Sequence, residues 1–80
     1  GFKKFPQTLI NLKVNNPNKI IISDKFWEKV TEIELQLGED GRVLIRPSGT
    51  EPLIRIMVES KDSGFSENLC NSLADLAQRI

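Results

Sequence analysis

Arg46, Ser48, Gly49, Thr50 and Arg55 fall close together in the run GRVLIRPSGTEPLIRIMVE, Gly41 to Glu59, and their types suit the binding of an oxyanion. Each guanidinium can bond two oxygens at once, the two hydroxyls add donors, and Gly49 permits a backbone that turns successive N–H groups inward. Backbone concavities of this kind hold anions. The chemistry on offer is therefore capture of a tetrahedral anion such as phosphate. Pro, Ser, Gly and Thr are also the residues that an ordinary surface loop uses for φ and local hydrogen bonding. Two features weigh for a site. Both arginines flank the turn inside apolar strand-like sequence, where apolar residues would serve stability better, and Ser48 and Thr50 straddle Gly49. Glu51 is repelled by a bound dianion, so it is expected to point away or to orient one of the arginines.

The rest of the chain narrows the chemistry further. It contains no His and a single Cys, Cys70, which removes the common transition-metal sites and the Ser/His and Cys/His nucleophilic arrangements from these residues. No catalytic residue and no metal ligand is expected here. Cys70 falls beside Leu69 and Leu73 on a helical stripe and reads as a small core residue. Eleven acidic and eleven basic side chains cancel, so neither nucleic acid nor a membrane is an expected partner over a broad face. Arg42, Arg46 and Arg55 gather around the turn, whereas Glu28, Glu32, Glu34, Glu39 and Asp40 gather ahead of it. A lone Cys, no secretory signal and no long apolar stretch make a reducing cytoplasm the expected compartment.

Eighty residues make at most one domain, which buries about 60% of the surface its unfolded chain exposes. Around the turn, Val43 and Ile45 alternate with Arg42, Leu44 and Arg46, and Ile54, Ile56 and Val58 alternate with Leu53, Arg55, Met57 and Glu59, which predicts an antiparallel strand pair. An earlier strand spans Gln7 to Val14, with Ile10, Leu12 and Val14 on one face. Lys19 to Ile22 reads either as a short fourth strand or as an anchor. After a cap at Ser23 or Asp24, the spacing of Phe26, Val30, Ile33 and Leu37 predicts a helix ending at Gly38, its stripe broadened by Trp27. Phe65, Leu69, Leu73, Leu76 and Ile80 predict a final helix with Phe65 in the core. The sum is an α+β fold, a two-layer sandwich in which a mainly antiparallel sheet of three or four strands is covered by two helices. Leu44, Leu53 and Met57 fall on the uncovered face, which is then free to meet another domain.

FPQTLINLKV at residues 5–14, LGEDGRVLIRPSGTEPLIRIMVES at 37–60 and the amphipathic final helix together resemble the C-terminal, fourth domain of the α-D-phosphohexomutases, most closely the glucosamine branch of that family. The resemblance covers nearly the whole chain and is carried chiefly by RPSGTEPLIR, residues 46–55. It implies an interdomain linker remnant at 1–6 and a phosphate-binding domain at 7–80. It implies a larger enzyme, an isomerase interconverting glucosamine 6-phosphate and glucosamine 1-phosphate through a phosphoserine on the first domain, Mg2+ on the second and a bisphosphate intermediate. Arg46, Ser48, Gly49, Thr50 and Arg55 are then ligands of the substrate phosphate. The expected partners are the phosphosugar and the other domains of the same polypeptide, with no cofactor in this domain. The alternatives are the corresponding domain of a phosphomannomutase or phosphoglucomutase, and a stand-alone anion-binding regulatory module.

Overall fold

Period-two alternation near the N-terminus and on both sides of the turn produces three strands: β1 (Gln7–Lys13), β2 (Arg42–Pro47) and β3 (Leu53–Glu59). The computed structural model describes residues 5–80. The sheet order is β1-β3-β2, both pairings antiparallel, so β3 is central. Register places Ile10–Ile56–Ile45 and Leu12–Ile54–Pro47 as rungs on the covered face. The opposite face carries Gln7–Glu59–Arg42, Leu9–Met57–Leu44 and Asn11–Arg55–Arg46. The sheet is tied beyond the strand ends by Val14 N–H to the Pro52 carbonyl at 2.9 Å and by Ser60 N–H to the Pro6 carbonyl at 3.2 Å. Of the expected linker, residues 1–4 lie outside the described residues.

Two long helices cover one face, as the stripes require. Helix α2 (Asp24–Leu37) starts where the Ser23 hydroxyl accepts from Phe26 N–H, and it ends at Gly38, whose φ of +61° a side chain would strain. A 3-10 turn at Gly38–Asp40 leads into β2. Helix α3 (Ser63–Arg79) is capped by Asp62, whose carboxylate accepts from the N–H groups of Gly64 at 2.8 Å and Phe65 at 3.4 Å. Helix α3 lies over β1 and β3, and α2 lies over β2 and beside α3. Phe26, Val30, Ile33, Leu37, Ile54, Ile56, Val58, Leu69, Cys70 and Leu73 meet in one core between the layers. Among the described residues, no helix is long and apolar enough to cross a membrane.

One open choice is resolved, in favour of an anchor, and two expectations are corrected. Lys19 to Ile22 adds no fourth strand: it lies largely in α1 (Pro17–Ile21), a five-residue helix that begins on Pro17 and drops Ile20 into the core. Proline at the first helical position loses no bond and presets φ, which favours that outcome. Trp27 is 39% exposed rather than core, because its indole N–H donates to the Ile21 carbonyl at the rim between α1 and α2. Its ring meets that of Phe26 edge to face, with centroids 5.9 Å apart. Phe65 is also 39% exposed. The buried stripe of α3 is Ser66, Leu69, Cys70, Leu73 and Ala77, rotated so that small side chains let the helix backbone lie close to the sheet.

Candidate functional site

The turn between β2 and β3 is built by its own side chains. Ser48 N–H donates to the Leu53 carbonyl at 2.9 Å and Leu53 N–H to the Glu51 carbonyl at 2.8 Å, closing the loop on the strand ends. The Ser48 hydroxyl then accepts from Thr50 N–H at 3.4 Å and Glu51 N–H at 3.3 Å. Two N–H groups expected to face an anion are thus turned toward Ser48, through bonds long enough to be exchanged for a stronger acceptor. Ser48 keeps its own O–H for donation. Gly49 does not occupy the left-handed region, and a Cβ there would meet nothing within 4 Å. The conformational reason for a glycine therefore does not operate here. What its hydrogen leaves is open space beside the backbone. Glu51 is exposed and forms no ion pair among the described residues.

Arg46 and Arg55 are brought together by register. They are direct cross-strand partners on the uncovered face, and both are exposed. Side chains so placed have Cβ atoms about 5 Å apart, and like charges there repel. Neither is matched by a carboxylate: the ion pairs among the described residues are Lys29–Glu32, Arg42–Glu59, Lys61–Asp40 and Arg79–Asp75. Among the described residues the Arg55 side chain has one polar contact, from Nε to the Asn11 side-chain oxygen at 3.2 Å. The pair is a local excess of positive charge fixed at the base of the turn.

Pro17 and Asn18 at the start of α1, together with Pro47 to Pro52, line a shallow concavity of about 460 Å³ that excludes both arginines. A larger open hollow of about 820 Å³ lies between Lys13, Lys19 and the end of α3 and contains none of the expected site residues. The contribution of α1 to the turn's surroundings and the contact of Asn11 with Arg55 were both missed from sequence. Alternation already placed Asn11 on the face away from the helices, but only the register puts it on the arginine rung.

Cys70 has no part in this chemistry. It is fully buried under the sheet, its thiol directed at the carbonyls of Ile56 at 3.5 Å and Thr8 at 3.7 Å. Burial pushes its pKa up to about 11, with partial relief from the backbone of Ile10 and Val58. Among the described residues, no three His, Cys, Asp or Glu side chains come together in a way that could hold a metal ion.

The family described as phosphoglucomutase/phosphomannomutase, C-terminal domain, matches residues 9–76. The chain is 48% identical over 75 residues to the phosphoglucosamine mutase of Oceanobacillus iheyensis, a match covering 94% of this chain and 17% of that protein. It is 41% identical over 76 residues to the phosphoglucosamine mutase of Bacillus licheniformis, covering 95% of this chain and 17% of the relative. The chain thus spans about a sixth of the length of these relatives. Among solved structures, Aspergillus fumigatus N-acetylphosphoglucosamine mutase in complex with GlcNAc-6P and magnesium superposes with a TM-score of 0.77 at 19% identity, over 94% of this chain and 16% of that one. A substrate complex of N-acetylglucosamine-phosphate mutase, of the α-D-phosphohexomutase superfamily, gives 0.75 at 21% identity, over 90% and 15%. At such identities the superposition speaks for the fold.

Proposed function

This chain belongs to the phosphoglucomutase/phosphomannomutase family as a C-terminal domain, and from that premise we propose that it supplies the substrate-phosphate clamp of a cytoplasmic phosphoglucosamine mutase. The glucosamine branch is supported by the curated relatives, which are phosphoglucosamine mutases. The observation that carries the clamp is the Arg55–Arg46 rung at the base of a hydroxyl-bearing turn, two cations opposed across adjacent strands with no carboxylate between them. A phosphate dianion at that position would relieve their repulsion. Ser48, Thr50 and the backbone N–H of Gly49 would complete the donor set.

An interconversion of 6- and 1-phosphosugars through a bisphosphate requires the sugar to be held by whichever phosphate is not reacting. Such an anchor should therefore grip phosphate and ignore the ring. Guanidinium, hydroxyl and backbone N–H donors meet that need, at about 1.5 to 3 kcal/mol for each charge-assisted bond. The described residues do not fit a magnesium site, so Mg2+ would be held by another part of the polypeptide, and no step is assigned to it here. Phosphoryl transfer would likewise lie with a phosphoserine elsewhere in the longer chain, and this domain would orient the substrate and help exclude water.

Adding inorganic phosphate or glucosamine 6-phosphate to the labelled domain should shift the amide resonances of residues 46–55, and silence there at tens of millimolar would remove the site assignment. In the full-length polypeptide, Arg46→Ala and Arg55→Ala should each lower kcat/KM by about thirtyfold, or about 2 kcal/mol. Unchanged kinetics in both would overturn the clamp.

A further inference from the structure

Two rungs of the uncovered face have the same construction and opposite electrostatics. In the first, Gln7–Glu59–Arg42, the central carboxylate accepts from Gln7 Nε2 at 2.8 Å and pairs with Arg42 at 3.6 Å, so its cation is neutralised within the sheet. In the second, Asn11–Arg55–Arg46, a cation replaces the central carboxylate and the partner on β1 is a neutral amide. Arg55 donates from Nε to the side-chain oxygen Oδ1 of Asn11 at 3.2 Å. A guanidinium has five N–H donors, so this bond uses one and leaves the four on its two Nη atoms.

We infer that Asn11 is a positioning residue of the anion site, holding Arg55 by Nε without neutralising it so that the Nη hydrogens remain available to a phosphate. An exposed arginine otherwise samples many rotamers and must be ordered when a ligand arrives. A carboxylate at position 11 would order it equally well, but as an ion pair that competes with the ligand. The amide provides the orientation and leaves the charge. The inference rests on the reading of Arg46 and Arg55 as the phosphate clamp, and it assigns to β1 a part in that clamp that neither the turn nor its two strands supply.

The test uses the full-length polypeptide with glucosamine 6-phosphate as substrate. Asn11→Leu should raise KM about fivefold while kcat changes less than about twofold, because an orienting contact is lost from ground and transition states alike. Asn11→Val, a better strand former, serves as a second variant should the first fold poorly. In an Arg55→Leu background, Asn11→Leu should change KM no further, since nothing remains to be oriented. The unmutated protein supplies a check needing no variant: the Arg55 Nε–H should exchange with water more slowly than that of Arg46. Additive KM effects, equal exchange rates, or an unchanged KM for Asn11→Leu beside a raised KM for Arg55→Leu would each overturn the role of Asn11 and leave the clamp standing. An unchanged KM and kcat for Arg55→Leu would remove Arg55 from the clamp and the role of Asn11 with it.

Discussion

Arg55 and Cys70 mark the two extremes to which this sheet exposes a reactive group. Arg55 stands on the open face with one neutral partner, whereas Cys70 is held under the other face among carbonyl oxygens. Burial opposes the thiolate and sets its pKa at about 11 against an ordinary value of 9.0. The sign of the resulting linkage is fixed. Between those values an unfolded chain releases the proton and the folded one keeps it, so stability falls as pH rises from about 9 to about 11, by about 2 kcal/mol. Denaturant titrations at pH 8 and pH 10.5 should show that loss in the parent chain, and a markedly smaller one in Cys70→Ala. The same thiol should react with an aromatic disulfide reagent only once the fold is opened. Rapid labelling under native conditions would contradict its placement.

At the scale of elements, main chain crowds main chain where Gly41 leads into β2. A Cβ at that position would collide with the Glu59 carbonyl oxygen of β3. Gly41→Ala should therefore cost about 1 to 3 kcal/mol, seen as a lower urea midpoint, because main chain must move to admit the methyl group. The strands on either side of the turn were legible in sequence because Val43 and Ile45, and Ile54, Ile56 and Val58, recur at every second position, although Met57 between them is buried as well. Helix α2 was legible for the same reason at period 3.6, down to its stop at Gly38. Helix α1 was not: five residues are too few to show a helical period, and Ile20-Ile21-Ile22 has the composition of a strand. In α3 the helix itself and its buried Leu69 and Leu73 are clear, but Phe65 outweighs Ser66 in any hydrophobic count, and the small residues Ser66, Cys70 and Ala77 that share the packed face are not. The five candidate anion ligands were legible as residue types in a turn. Their surroundings were not, because α1 and Asn11 reach them only through tertiary register.

For the whole molecule, the core is a single layer of side chains between three strands and the helices, with Ile56 at its centre and fully buried on the middle strand. A domain of this size sits toward the low end of the usual 5 to 15 kcal/mol, so Ile56→Ala, at about 2 to 5 kcal/mol, should leave an appreciable fraction unfolded at 37 °C. Thermal unfolding followed by circular dichroism would show the shift, and a near-wild-type midpoint would argue against one shared core. The strand order has a further consequence during synthesis. Residues 7–13 pair only with 53–59, so as the nascent polypeptide leaves the ribosome its first strand has no neighbour until most of the domain has been translated. Local helix formation can begin early, but sheet closure must wait for the middle strand, which carries Arg55. The paired cations are therefore assembled late in biogenesis, and a transcript truncated within the turn would yield a product with neither a closed sheet nor an anion grip.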